Sequence, residues 1–73
     1  MRYFKPSEYD IKIAISDIMR YTSVTLGDNY VFKDHGDYIE VCVDANNKKG
    51  HIIFDIYYDA TGKITSVCSH PSN

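Results

Sequence analysis

The hydrophobic period of this chain changes once, and that change restricts it to a helix followed by a sheet. Ile11, Ala14, Ile15, Ile18 and Thr22 recur at spacings of 3, 1, 3 and 4, which places them on one side of a helix. Beyond Gly27-Asp28-Asn29 the apolar residues alternate instead, as Ile39, Val41 and Val43 and then Ile52, Phe54, Ile56 and Tyr58. Alternation puts each set on one face of a strand. A pattern of one period does not satisfy the other element, so the chain must bury a helical stripe against a sheet face.

Local signals set the expected boundaries. Ser7 follows Pro6 and has Asp10 three residues on, a relative of the capping box that starts a helix. Thr22-Ser-Val-Thr brings β-branched side chains that lose rotamer freedom in a helix, so the helix is predicted over about 7–22. Glu8 with Lys12, and Asp17 with Arg20, are spaced to pair on its solvent side. Strands are predicted over about 30–33, 38–44, 51–59 and 63–68, with Gly27-Asp28-Asn29 read as a break. The connections Asp34-His35-Gly36-Asp37, Ala45 to Gly50 and Ala60-Thr61-Gly62 hold Gly or Asn where φ > 0 is required. The fold class expected is α+β: one domain over residues 1–73, its N-terminal amphipathic helix packed on one face of a three- to four-stranded antiparallel β-meander. Ser69 to Asn73 is expected to be a loose tail.

Size and charge narrow the functional classes. Seventy-three residues hold a single core, and a core that small gains from a staple or a partner subunit, which leaves self-association as a homodimer open. The net charge of −2 supplies no positive field to displace counterions from a nucleic-acid backbone, so nucleic acid is disfavoured as a partner. Eight of the ten acids are Asp, many at turn positions where the side chain bonds local backbone, so no acidic face of a nucleic-acid mimic is formed. No stretch approaches the ~20 apolar residues of a membrane span. The opening Met-Arg-Tyr-Phe-Lys-Pro-Ser-Glu has no apolar region behind it, and two cysteines do not make a secreted scaffold. A cytoplasmic protein with Cys42 and Cys68 reduced is therefore expected.

The chemistry-bearing residues do not assemble into a reactive constellation in the sequence. His35, His51 and His70 fall in a turn, at a strand start and in the tail, whereas acid–base or nucleophilic catalysis needs its groups gathered in a cleft. Cys42 with Cys68-x-His70 is short of a zinc set. Asp44-Ala-Asn-Asn-Lys-Lys-Gly puts Lys48 where a calcium loop needs an oxygen ligand. Lys48, Lys49 and His51 form a small basic cluster that reads as solvated charge. The glycines are spaced as turn residues and not as a phosphate loop. No enzyme activity, metal or cofactor is expected.

Tyrosine is what stands out, at seven residues with no tryptophan. If Ile39 and Ile52 face inward, the opposite face carries Tyr38, Glu40, Cys42 and Asp44 with Ile53, Asp55, Tyr57 and Asp59. Tyrosine gives rigid contact area and keeps a hydroxyl for hydrogen bonding, although aromatic residues also serve as ordinary cross-strand neighbours. Tyr38, Glu40, Ile53, Asp55 and Tyr57 are the candidate partner-binding residues. Tyr3 and Phe4 could fold back over part of this surface.

The stretch Gly36 to Val67, through Tyr38-Ile-Glu-Val-Cys-Val and Ile56-Tyr-Tyr-Asp-Ala-Thr-Gly-Lys-Ile, resembles PepSY-type small domains, in which a helix precedes strands ending in a Val-Asp-x-x-x-Gly-Lys-Val hairpin. That resemblance implies an accessory domain of a kind usually exported. In size, acidity and turn-rich sheet the chain is also similar to small interaction proteins of phages and mobile elements, including inhibitors of host defence systems. The expected function is a non-enzymatic protein–protein interaction module, in that comparison an inhibitor. The alternative is a small-ligand or nucleic-acid accessory domain that uses its aromatic residues as stacking platforms.

Overall fold

The computed structural model describes residues 4–22, 24–45 and 50–71. One helix, α1 (Glu8–Met19), precedes four strands, β1 (Leu26–Asp34), β2 (Tyr38–Ala45), β3 (His51–Tyr58) and β4 (Ile64–Pro71). The strands form one antiparallel sheet in the order β1-β2-β3-β4. This is the α+β meander expected.

Ser7 caps the helix as anticipated: its Oγ accepts from the Asp10 N–H at 3.0 Å and its carbonyl accepts from Ile11 N at 3.0 Å. The C-terminus comes earlier than the predicted residue 22. Thr22 donates its hydroxyl to the Met19 carbonyl at 3.0 Å, and the same oxygen accepts from Val24 N at 3.3 Å. A hydroxyl that bonds local backbone competes with the next helical turn, and the chain leaves the helix there. Arg20 pairs with Asp17 at 2.8 Å, as their spacing allows. Lys12, expected to pair with Glu8, instead lies over the Tyr30 ring, 4.9 Å from its centroid.

The buried helix residues are Ile11 and Ile15, with Met19 packed beside them. Ile18 and Thr22, assigned to the stripe from sequence, are exposed. Ile11, Ile15 and Met19 set the buried direction of α1, and Ile18 lies about 60° to one side of it. Ile39, Val41 and Val43 of β2 and Phe54 and Ile56 of β3 complete the core, as their alternation required. Tyr30, Phe32, Ile52, Tyr58, Ile64 and Val67 pack around it.

Strand ends also moved. Gly27-Asp28-Asn29, read as a break, lies within β1, where the pairing with β2 shifts register between Leu26 and Tyr30. Such an irregularity absorbs turn-forming residues without ending the strand. Ser69, His70 and Pro71, read as loose, continue β4 by pairing with Phe54, Ile53 and Ile52. The length of β3 offers a full ladder, so the strand persists without an apolar anchor of its own. Asp59 leaves β3 for the turn, where its Oδ1 accepts from Thr61 N at 2.9 Å and from Lys63 N at 3.1 Å. Those bonds, with the Thr61 hydroxyl the largest contributor, hold its carboxyl below the usual range. The β2–β3 connection at 46–49, including Lys48 and Lys49, lies outside the described residues.

The segment before the helix closes one end of the sheet. Pro6 is buried, Lys5 pairs with Asp34, and the Tyr58 hydroxyl donates to the Gly36 carbonyl at 3.3 Å. Gly62, at φ 86°, lies beneath Phe4; a Cβ there would sit 3.1 Å from Phe4 Cβ and 3.2 Å from its carbonyl carbon. Gly36 has φ 90° but open space around it. Both Gly→Ala variants should carry the left-handed penalty of about 1–2 kcal/mol. Gly62→Ala should cost more, because it also displaces the segment 4–6. Thermal denaturation of the two variants checks the order; equal losses would mean that Phe4 does not rest on this turn.

Candidate functional site

The ladder fixes which residues share the sheet face away from α1. Tyr38 stands opposite Tyr57, Glu40 opposite Asp55, Cys42 opposite Ile53 and Asp44 opposite His51. All five candidate residues, Tyr38, Glu40, Ile53, Asp55 and Tyr57, are therefore brought together on two adjacent strands. Lys33 extends the Glu40 row and Val31 the Cys42 row on β1. Ser66, Cys68 and His70 extend the rows of Tyr57, Asp55 and Ile53 on β4.

An aromatic stack runs along one end of this face. Tyr38 and Tyr57 have ring centroids 5.4 Å apart, and His35 stacks on the other side of Tyr38 at 4.7 Å. Offset stacking of this kind holds the rings at a fixed orientation and adds about 0.5–1.5 kcal/mol beyond area burial. Tyr57 is 38% exposed, so the stack remains open to a partner. Burial first, then Asp55 and Glu40, push the Tyr38 phenol above its ordinary value. The hydroxyl therefore stays protonated and able to donate.

Each histidine meets a carboxylate on this same face. His35 Nε2 lies 3.0 Å from Glu40 Oε1, His51 Nε2 2.7 Å from Asp44 Oδ1, and His70 Nε2 3.3 Å from Asp55 Oδ2. Asn29 also donates to Asp44 at 3.0 Å. In the sequence these histidines lie far apart, and the fold brings each to a carboxylate. Parity carried the signal: His51 lies two residues before Ile53 and His70 two after Cys68, so each shares its neighbour's face. Val31, 63% exposed, was missed, since the outward set of β1 was not drawn.

The apolar centre of the face is Val31, Cys42 and Ile53, beside a shallow depression bounded by Asn29, Asp44 and His51. Phe4 does not cover this face; it rests on the β3–β4 turn. Tyr3 lies outside the described residues. Among the described residues no group of three His, Cys, Asp or Glu side chains is placed to hold a metal ion.

Cys42 and Cys68 are not bonded to each other. They occupy β2 and β4 with β3 between them, two residues out of row, which sets their Cα atoms about 12 Å apart at the usual strand dimensions and beyond disulfide reach. Burial and the nearby Asp44 and Glu40 push the Cys42 thiol up, whereas Cys68 is exposed. Reductant is expected to leave the melting temperature unchanged. Iodoacetamide under native conditions should modify Cys68 well before Cys42; mass spectrometry of a time course checks this, and equal rates would contradict the register.

Comparison with protein-family models, curated proteins and solved structures finds no match to this chain. The likeness to PepSY-type domains rests on the hairpin pattern alone. No helix among the described residues is long and apolar enough to cross a membrane.

Proposed function

We propose that this protein is a non-enzymatic interaction module that covers a surface of another protein with the outer face of its sheet. The observation that carries the reading is the open His35–Tyr38–Tyr57 stack set directly beside Glu40 and Asp55. Exposed aromatic residues, held rigid, lose little entropy on docking and dominate interface energies. Glu40, Asp44 and Asp55 against Lys33 leave the face acidic, so the partner surface it fits is apolar at the centre with lysine or arginine around it. Acting by occlusion, such a module inhibits whatever site it covers, and Cys42 and Cys68 suit a reducing compartment.

The same stack would suit a nucleobase, but carboxylates on its flank repel a phosphate backbone. Two baits test the reading: the parent protein and Tyr57→Ala, each exposed to extract of cells that express it naturally. A protein retained by the parent and lost by Tyr57→Ala supports the reading. Retention by both baits, or of nucleic acid that salt removes, overturns it.

A further inference from the structure

The two edges of the sheet are built differently. β1 carries Asp28, Lys33 and Asp34 and a register shift between Leu26 and Tyr30, and charge and irregularity both discourage another strand from adding there. β4, Ile-Thr-Ser-Val-Cys-Ser-His-Pro, has no Asp, Glu, Lys or Arg along its eight residues. Its irregularity is confined to the start, opposite Tyr57 and Tyr58, and from Ser66 to Pro71 the pairing with β3 is regular. Among the described residues no strand pairs with its outer side.

A second observation points to the same edge. Helix α1 packs against β4. At 100° per residue Lys12 and Ile18 lie about 60° to either side of the direction set by Ile11, Ile15 and Met19. Lys12 reaches Tyr30 on β1, so Ile18 lies on the flank toward β4. It is 39% exposed, an apolar side chain left beside an edge strand whose guard is confined to Pro71 at its end.

We infer that β4 is the association edge of the protein and that its occupant is a second copy of this chain. A two-fold axis perpendicular to the sheet pairs β4 antiparallel with β4 of the second copy, because an isologous contact must be self-complementary. An edge without Asp, Glu, Lys or Arg meets its own copy without like-charge repulsion at any register. The sheet becomes eight-stranded, the two helices fall on one side, and Ile18 of each copy covers apolar surface at the junction. Both Tyr38–Tyr57 faces then point the same way, so the dimer presents two contact faces side by side. This inference concerns the edge and does not depend on the partner-binding reading.

Sedimentation velocity in reducing buffer, from roughly 5 to 500 µM, tests it on the whole chain. The parent should pass from monomer to dimer over that range. Ser66→Lys with Ser69→Lys, two exposed positions on opposite faces of β4, should weaken association at least about tenfold, lysine being a natural guard of edges. Ile18→Glu should weaken it as well, and circular dichroism establishes that each variant is folded. Val31→Lys on β1 and Tyr57→Ala on the outer face should dimerise as the parent does. A parent that stays monomeric throughout overturns the inference, as does a series in which Val31→Lys blocks association and both the lysine pair and Ile18→Glu leave it intact.

Discussion

Phe54→Ala is expected to cost about 3–5 kcal/mol and Ile15→Ala about 2–5 kcal/mol. Both side chains are fully buried, one from each layer, in a single cluster with Ile11, Ile39, Val41, Val43 and Ile56. Neither layer has a second core to fall back on, so a cavity at this junction is lined by residues that cannot all relax into it. A domain of 73 residues has on the order of 4–11 kcal/mol of stability in total, and either truncation removes much of it. Because the two residues share neighbours, the double variant should not be additive. Urea denaturation reads all three. Single variants that lie within about 0.5 kcal/mol of the parent would mean that helix and sheet do not bury each other as described.

The junction was legible because it rests on alternation, which fixes a face once any one residue is placed. Ile39, Val41, Val43, Phe54 and Ile56 followed directly from it. What was not legible depended on competition between local and tertiary bonding. Thr22 ended the helix with a hydroxyl bond that propensity does not register, and the side on which α1 packs, which sets Met19 against the core and leaves Ile18 exposed, is set by the sheet. Gly27-Asp28-Asn29 looked like punctuation, yet the partner strand carried the pairing past it. The same partner effect ordered Ser69 to Pro71, whose side chains give no sign of it. On the outer face alternation grouped Tyr38, Glu40, Ile53, Asp55 and Tyr57, whereas the cross-strand pairs, His51 opposite Asp44 among them, came only with the strand register, and the contact of His70 with Asp55 required knowing where β4 lies.

Tyr57→Ala is expected to weaken partner binding by about 2 kcal/mol or more, roughly thirtyfold in Kd. The ring stands at the open end of the stack, and its removal takes away both its own contact area and the support that orients Tyr38. The loss should appear mainly as faster dissociation. Stability should fall only by the stacking contribution, about 0.5–1.5 kcal/mol, since Tyr57 takes no part in the core cluster. Asp55→Lys should act differently. It replaces an acid at the flank of the stack and breaks the contact with His70, so it should slow association with a basic partner and reduce its salt dependence. Stopped-flow binding at two ionic strengths separates the two effects.

Helix α1 offers the competing surface, because Tyr9 and Ile13 are also exposed, as is Tyr21 just beyond its end. Calorimetric titration of one purified partner into the parent, Tyr57→Ala and Ile13→Ala decides between the faces. The account predicts parental affinity for Ile13→Ala and a loss of roughly thirtyfold or more for Tyr57→Ala. Parental affinity for Tyr57→Ala together with lost binding for Ile13→Ala would contradict it and place the contact on the helix.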